Sequence, residues 1–327
     1  MLSLTLLLGA ANAGLLSEKT TMSEWPEREI DADLVTPRGW LRVGLGADMK
    51  VSSASRDDSG ALTPHDDATW TYSRLWLKLD QGFSQRLSLY CHIPYVYAHL
   101  DNAHGADVTT RAFGDIHTGF AYQPWIDTPN KLAIVADLKA PSGVEWPSDF
   151  SGGEASTGSF LTGTGITNAG LSLRARRAIG PVAPHLDVGY TFKIPTVVGY
   201  VVQTDGWGNG WLDPGDELHA SAGLDLQLGD RLLLGAGAVY SRRGVYRVGI
   251  AGEGVWKLDL HDIPDSDGWF LDAQGTASFA VSEHLGLRYD LGWQAAGTST
   301  ELFDHLGLEE FSPQPGLTHG LTAEVRW

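Results

Sequence analysis

Two Asp/His pairs have the residue types and spacing that most invite chemistry: Asp115 with His117, and His185 with Asp187. One residue separates the members of each pair, so on a strand both side chains fall on the same face. A carboxylate beside an imidazole is half of a general-base system. The nucleophile that would complete it has no recognisable setting. The sequence contains no G-x-S-x-G elbow, no H-E-x-x-H, no C-x-x-C and no G-x-x-x-x-G-K-[ST] loop. A satisfied polar network is the plainer reading of both pairs, with no catalytic residue assigned. His92, in an aromatic run just before Pro94, likewise reads as a structural residue rather than a metal ligand.

A third grouping, DGWGNGWLDPGDE at 205–217, places Asp205, Asn209, Asp213 and Asp216 at spacings reminiscent of a calcium loop. Trp207 stands where such a loop needs a ligand oxygen, so a glycine-rich turn is expected, with no metal and no cofactor. Composition removes other classes. The 327 residues carry 40 acids against 23 bases, a net charge of −17, which is the wrong sign for a nucleic-acid surface. The single cysteine, Cys91, excludes a disulfide scaffold. The 43 % hydrophobic content with 12 tryptophans argues against long disorder. No apolar window reaches 18 residues, so helical membrane spans are absent from the pattern.

The elements that must position these groups are strands, because from Gly39 onward the dominant period is two. Leu41, Val43, Leu45, Ala47 and Met49 alternate with Arg42, Gly44, Gly46 and Asp48, and Leu75, Leu77 and Leu79 with Arg74, Trp76, Lys78 and Asp80. The same alternation recurs to Leu321, Ala323, Val325 and Trp327, giving twelve candidate strands. Five short turns (80–84, 126–129, 179–181, 229–230, 282–284) alternate with six long polar links (51–67, 98–111, 142–162, 195–214, 249–265, 298–313). That regularity predicts an all-β, antiparallel up-and-down transmembrane barrel with short periplasmic turns and long extracellular loops. A soluble β-sandwich accounts for each strand singly, but does not require the alternation of loop lengths. Trp40, Trp70, Tyr95, Tyr97, Trp125, Tyr240, Trp269 and Trp327 fall at strand ends, as interfacial girdles would. The closing strand with its terminal Trp327 has the form read by the bacterial barrel-insertion machinery.

Three segments follow from the same reading. Residues 1–13, MLSLTLLLGAANA, form an expected signal peptide ending in a small-x-small site, though without a basic leader. Residues 14–38 form a polar N-terminal segment, either a periplasmic lead-in or a piece tucked into the barrel mouth. Residues 39–327 form the barrel. If the apolar faces meet lipid, the opposite faces line a lumen of mixed charge. The expected path carries Arg42, Arg74, Trp76, Arg86, Tyr90, His92, Asp115, His117, Arg174, Arg176, His185 and Asp187. Further bases, among them Arg243, Arg247 and Arg288, extend that wall. Isolated charges there would be costly, so cross-lumen ion pairs are expected. Wall bases would draw small anions, and Trp76, Tyr90 and Trp40 would stack a ring.

Several segments also resemble the bacterial outer-membrane family named for transport in the meta pathway of phenol degradation. They are ADLVTPRGWLRVGLG (32–46), SLYCHIPYVY (88–97), FGDIHTGFAYQ (113–123), LKAPSG (138–143), TGTGITNAGLSLRARRAIG (162–180) and PHLDVGYTF (184–192), in that order. The 195–214 link and the 231–261 region depart from that likeness. The resemblance implies an outer-membrane barrel that takes up aromatic or other hydrophobic compounds, and it transfers no binding residues.

The expectation is therefore a monomeric barrel in the outer membrane of a Gram-negative bacterium, passing small, aromatic or hydrophobic solutes, and not an enzyme. Its partners would be membrane lipid and lipopolysaccharide, the solute, and the insertion machinery during biogenesis, with no nucleic acid. A non-transporting structural or adhesive barrel is the alternative. A barrel hydrolase built on an Asp/His pair is the third.

Overall fold

The computed structural model describes residues 28–52, 54–56, 61–64, 68–102, 108–125, 129–143, 166–203, 206–250, 260–262, 267–298 and 316–327. The expected signal peptide lies outside them, as do Asp205 and much of the longest links. All twelve strands expected from the alternation are present. They are β1 Leu41–Ser52, β2 Ala68–Ser84, β3 Leu87–Asn102, β4 in two pieces (Val108–Phe113 and Ile116–Tyr122), β5 Asn130–Ala140 and β6 Asn168–Arg177. The second half comprises β7 Val182–Lys193, β8 Glu217–Leu228, β9 Leu232–Arg243, β10 Gly268–Ser282, β11 Leu285–Gly297 and β12 Leu317–Arg326. Each strand pairs antiparallel with the next. The barrel closes between β1 and β12, from Arg42 opposite Arg326 to Val51 opposite Leu317. Closure leaves no sheet edge, the only β arrangement stable in a bilayer.

Period-two sequence becomes two faces. Leu45, Leu75, Leu171, Leu186, Leu224, Leu287 and Leu321 are all exposed on the outside, where a soluble sheet would put polar residues. The outside of this barrel is lipid-facing. Two aromatic rows bound that apolar belt: Trp125 and Trp327 at the short-turn end, and Tyr95, Tyr240, Trp269 and Trp293 at the other, all exposed. Trp40 does not join them. It is only 2 % exposed, on the inward parity of β1, which corrects its reading both as a girdle residue and as a ring-stacking wall residue.

β4 is broken for a reason visible in β3. Pro94 has no amide to give its neighbour, and opposite it the strand stops at Phe113 and resumes at Ile116. Gly114 donates to the Pro94 carbonyl at 2.9 Å, and the Ser142 hydroxyl bridges the break, accepting from the Ile116 amide and donating to the Gly114 carbonyl, each at 2.9 Å. Beyond the membrane the strands continue. The 195–214 link is a hairpin, Thr196–Gln203 and Gly206–Asp213, to which Arg247–Ile250 and then His261–Asp262 add as a four-stranded external sheet. The glycine-rich turn expected over 205–217 is thus largely strand, and Arg247 belongs to this sheet rather than to the lumen wall.

Candidate functional site: the lumen

Twelve strands tilted as barrels require give a backbone radius of roughly 12 Å, which is narrow enough for side chains from opposite walls to matter. What fills that width differs around the circumference. On β4 and β5 the inward positions near the short-turn end are Ala121, Ala133 and Val135, all small, apolar and buried. Residues 28–38 lie on them. Val35 packs with Ala121, Val135 and Tyr90, and the short 3-10 turn Glu29–Asp31 precedes it. Asp33 accepts from Gln123 Nε2 at 2.8 Å and from Lys131 Nζ at 2.5 Å, while Gln123 Oε1 receives the Leu34 amide at 2.8 Å. Arg176 donates to the Ala32 carbonyl, and Arg326 meets Glu29 at 3.0 Å. A side chain at Gly82 would collide with the Pro37 carbonyl. Residues 28–38 therefore lie against the inner wall at the short-turn end.

Among the described residues, two cavities border the rest of the interior. A cavity of about 1090 Å³ is bordered by Arg42, Arg174, Arg176, His185, Asp187 and Asp225, and by Asp230, Arg231 and Glu283 at the short turns. A second cavity of about 350 Å³ lies toward the external end, bordered by Asp48, Lys50, Arg74, Trp76, Asp272 and Asp290. Both are lined by Gln274, Thr276, Arg288 and Thr322, which therefore mark the junction between them.

The charges on this wall are paired, some across strands and some along one strand. Arg42 and Arg326 share Glu324, each at 2.7 Å, Arg74 meets Asp48 at 2.9 Å, and Arg174 meets Asp187 at 2.7 Å. His185 faces Asp225 at 3.3 Å and His219 faces Asp187 at 3.6 Å. The two Asp/His pairs of the sequence are thus re-sorted. Asp187 takes Arg174, which lies directly opposite it, while His185 and His219 lie opposite Gly223 and Gly189 and reach a carboxylate on the diagonal. Asp115 is 5 % exposed and held by Lys139 at 3.1 Å and by the Ser142 and Gly143 amides at 3.3 and 3.2 Å. It is a cap for the broken strand rather than part of a path. His117 instead lies 5.9 Å from the ring of His92.

Several inward rings lie along the wall rather than across the lumen, and inward glycines make room for them. Tyr90 covers Gly119, His219 covers Gly189 and His185 covers Gly223. Two further expectations are corrected. Arg86 occupies the two-residue turn between β2 and β3 and is exposed outside the lumen. Arg243 stands at the external rim, its guanidinium over the Tyr246 and Phe270 rings at 5.3 and 5.7 Å. The acidic candidates for a cation also have other work. Asp213 is buried beside Arg247 at 3.5 Å, and Asp216 accepts from Tyr190 at 2.6 Å and from the Lys193 amide at 3.0 Å. Asn209 falls on a strand of the external sheet, and Asp205 is outside the described residues. Among the described residues no group of three metal-ligating side chains occurs.

The junction residues Gln274, Thr276 and Thr322 escaped the sequence reading because nothing distinguishes a small polar inward residue at a constriction from one elsewhere. The seat of residues 28–38 did leave a signal: LAIVA, 132–136, is apolar on both faces.

No protein-family model matches the sequence, and no curated protein is similar to it. Solved structures are similar to it in shape. The COG4313 outer membrane channel from Pseudomonas putida F1 is 13 % identical, covers 91 % of this chain and 98 % of its own, and superposes with a TM-score of 0.66. The TodX monoaromatic hydrocarbon channel (ΔS2 mutant) is 13 % identical over 96 % of this chain and 93 % of its own, at a TM-score of 0.46. The NanC porin is 6 % identical over 87 % and 98 %, at 0.44. The first of these shows that the fold is that of a bacterial outer-membrane β-barrel.

Proposed function

We propose that the protein is a channel in the outer membrane of a Gram-negative bacterium, through which small solutes, ring-bearing ones included, diffuse down their gradients. The observation that carries this reading is the pair of cavities with four lining residues in common, the larger bordered by Glu29 and Leu34 and by the short-turn residues Asp230, Arg231 and Glu283. A wall of paired charges suits such traffic. Each ion pair offers a donor and an acceptor together, so a solute leaving water finds replacements for both kinds of hydrogen bond. The sequence resemblance to the meta-pathway family supports aromatic compounds among the solutes, as do Trp76 and His92 on the wall. The barrel's surroundings would be membrane lipid and lipopolysaccharide.

Liposome swelling with the refolded protein tests the reading, after heat-modifiable gel migration has shown a folded barrel. Benzoate, neutral aromatics and small sugars should enter faster than into protein-free liposomes. A folded barrel that admits none of them would return the choice to a structural role.

A further inference from the structure

The smaller cavity holds more than a passage. Trp76 on β2 lies against β1, where Gly46 is the inward residue opposite it and Gly44 the next inward residue, opposite Lys78. A Cβ on Gly46 would stand only 2.5 and 2.9 Å from Cε2 and Cη2 of the indole, and one on Gly44 would be 3.4 Å from Cζ3. The six-membered part of the indole therefore lies close over two glycines, and Trp76 borders the cavity. His92 makes a T-shaped contact with this indole, 5.4 Å between ring centroids at 73°.

Both guanidiniums on this lining are held in ion pairs, and Lys50 and Asp272 also border the cavity. Arg74 donates to Asp48 at 2.9 Å, and Arg288 to Asp290 at 2.7 Å, with Gln274 and Thr276 also on the lining. An entering anion would have to compete with the carboxylate already bonded to each guanidinium. A hydroxyl competes with neither, because it accepts from the arginine and donates to the aspartate at once. A flat apolar face then needs a partner whose ring is apolar above and below and hydroxylated at its edge. A volume of about 350 Å³ accommodates one such ring with some water.

We infer that Trp76, with the Arg74–Asp48 and Arg288–Asp290 pairs, forms a subsite for a neutral six-membered ring bearing hydroxyl groups. This rests on the lumen being a solute path and narrows the solute class. A pyranose and a hydroxylated benzene share the required chemistry.

Swelling rates of proteoliposomes in glucose, catechol and sorbitol test it, because sorbitol has the hydroxyls of glucose without the ring. In the intact protein at least one ring solute should enter faster than sorbitol, by about threefold or more, the scale of one stacking contact. Trp76→Leu should bring that ratio to one, and Trp76→Phe should retain most of it. Catechol alone favoured identifies an arene path, and glucose alone favoured a sugar path. Should Trp76→Leu fail to fold, the ratio in the intact protein still decides. Equal entry of all three solutes overturns the subsite while leaving the channel intact, as does a ratio unmoved by Trp76→Leu. Entry of none, sorbitol included, overturns both.

Discussion

The two sides of the barrel interior share strand geometry and an apolar outside, yet they are built for opposite ends. On β4 and β5 the wall near the periplasmic mouth is Ala121, Ala133 and Val135, and a piece of the chain's own N-terminus covers it. On β7 to β12 the wall is Asp187, Ser221, Asp225, Gln274, Thr276 and Arg288, and it borders open volume. The ion pairs follow the same division. Lys131 and Lys139 are each 8 % exposed at their carboxylates, whereas Arg174 beside Asp187 is 48 % exposed. A pair sealed from water acts as a fastener, since removing one partner strands the other charge. A pair left wet contributes little to stability and remains available to a solute.

This contrast can be broken from either side. Asp33→Ala should have the largest effect. Loss of the partner of a buried Lys131 costs about 3–5 kcal/mol, enough to unseat residues 28–38 without unfolding the twelve strands. Single-channel conductance in planar bilayers should rise severalfold, and an unchanged value would mean that this segment is held by its other contacts. Gly82→Ala should act in the same direction but less. Its new methyl group meets the Pro37 backbone, which cannot swing aside as a side chain would. Limited proteolysis in the 28–38 region should quicken, and full protection would show the seat to be compliant.

Gly46→Ala tests the open side. The added methyl group displaces the Trp76 indole from the wall into the smaller cavity, so conductance should fall while heat-modifiable migration persists. Arg174→Ala should be the mildest change. For a half-exposed pair the loss of stability should stay below about 1 kcal/mol. The reversal potential across a salt gradient should nevertheless move toward cation selectivity, because Asp187 remains. A large drop in thermal stability with no change in selectivity would place Arg174 among the fasteners instead.

Much of the fold was legible because a membrane barrel writes its two faces into alternate residues. Leu171 and Leu173 against Ser172 and Arg174 suffice to place β6 and its faces. Partnerships were not legible. His185 and Asp187 look like a pair in one dimension, and only the register of β7 with β6 and β8 hands Asp187 to Arg174 and His185 to Asp225. Parity likewise placed Arg86 in the lumen when it lies in the tight turn, because alternation has no meaning once the strand has ended. The division of the interior into covered and open sides was written only as the lapse of alternation at LAIVA.

The external sheet has a consequence for assembly. Its middle strands, Gly206–Asp213 and Arg247–Ile250, come from different loops, one between β7 and β8 and the other between β9 and β10. Arg247 clasps Asp213 from the first loop and Asp262 from its own. None of these bonds can form until both loops have crossed to the same side of the membrane. Once they have, drawing either hairpin back requires breaking the sheet that joins them. The junction is a latch, giving the insertion of four strands a direction in time.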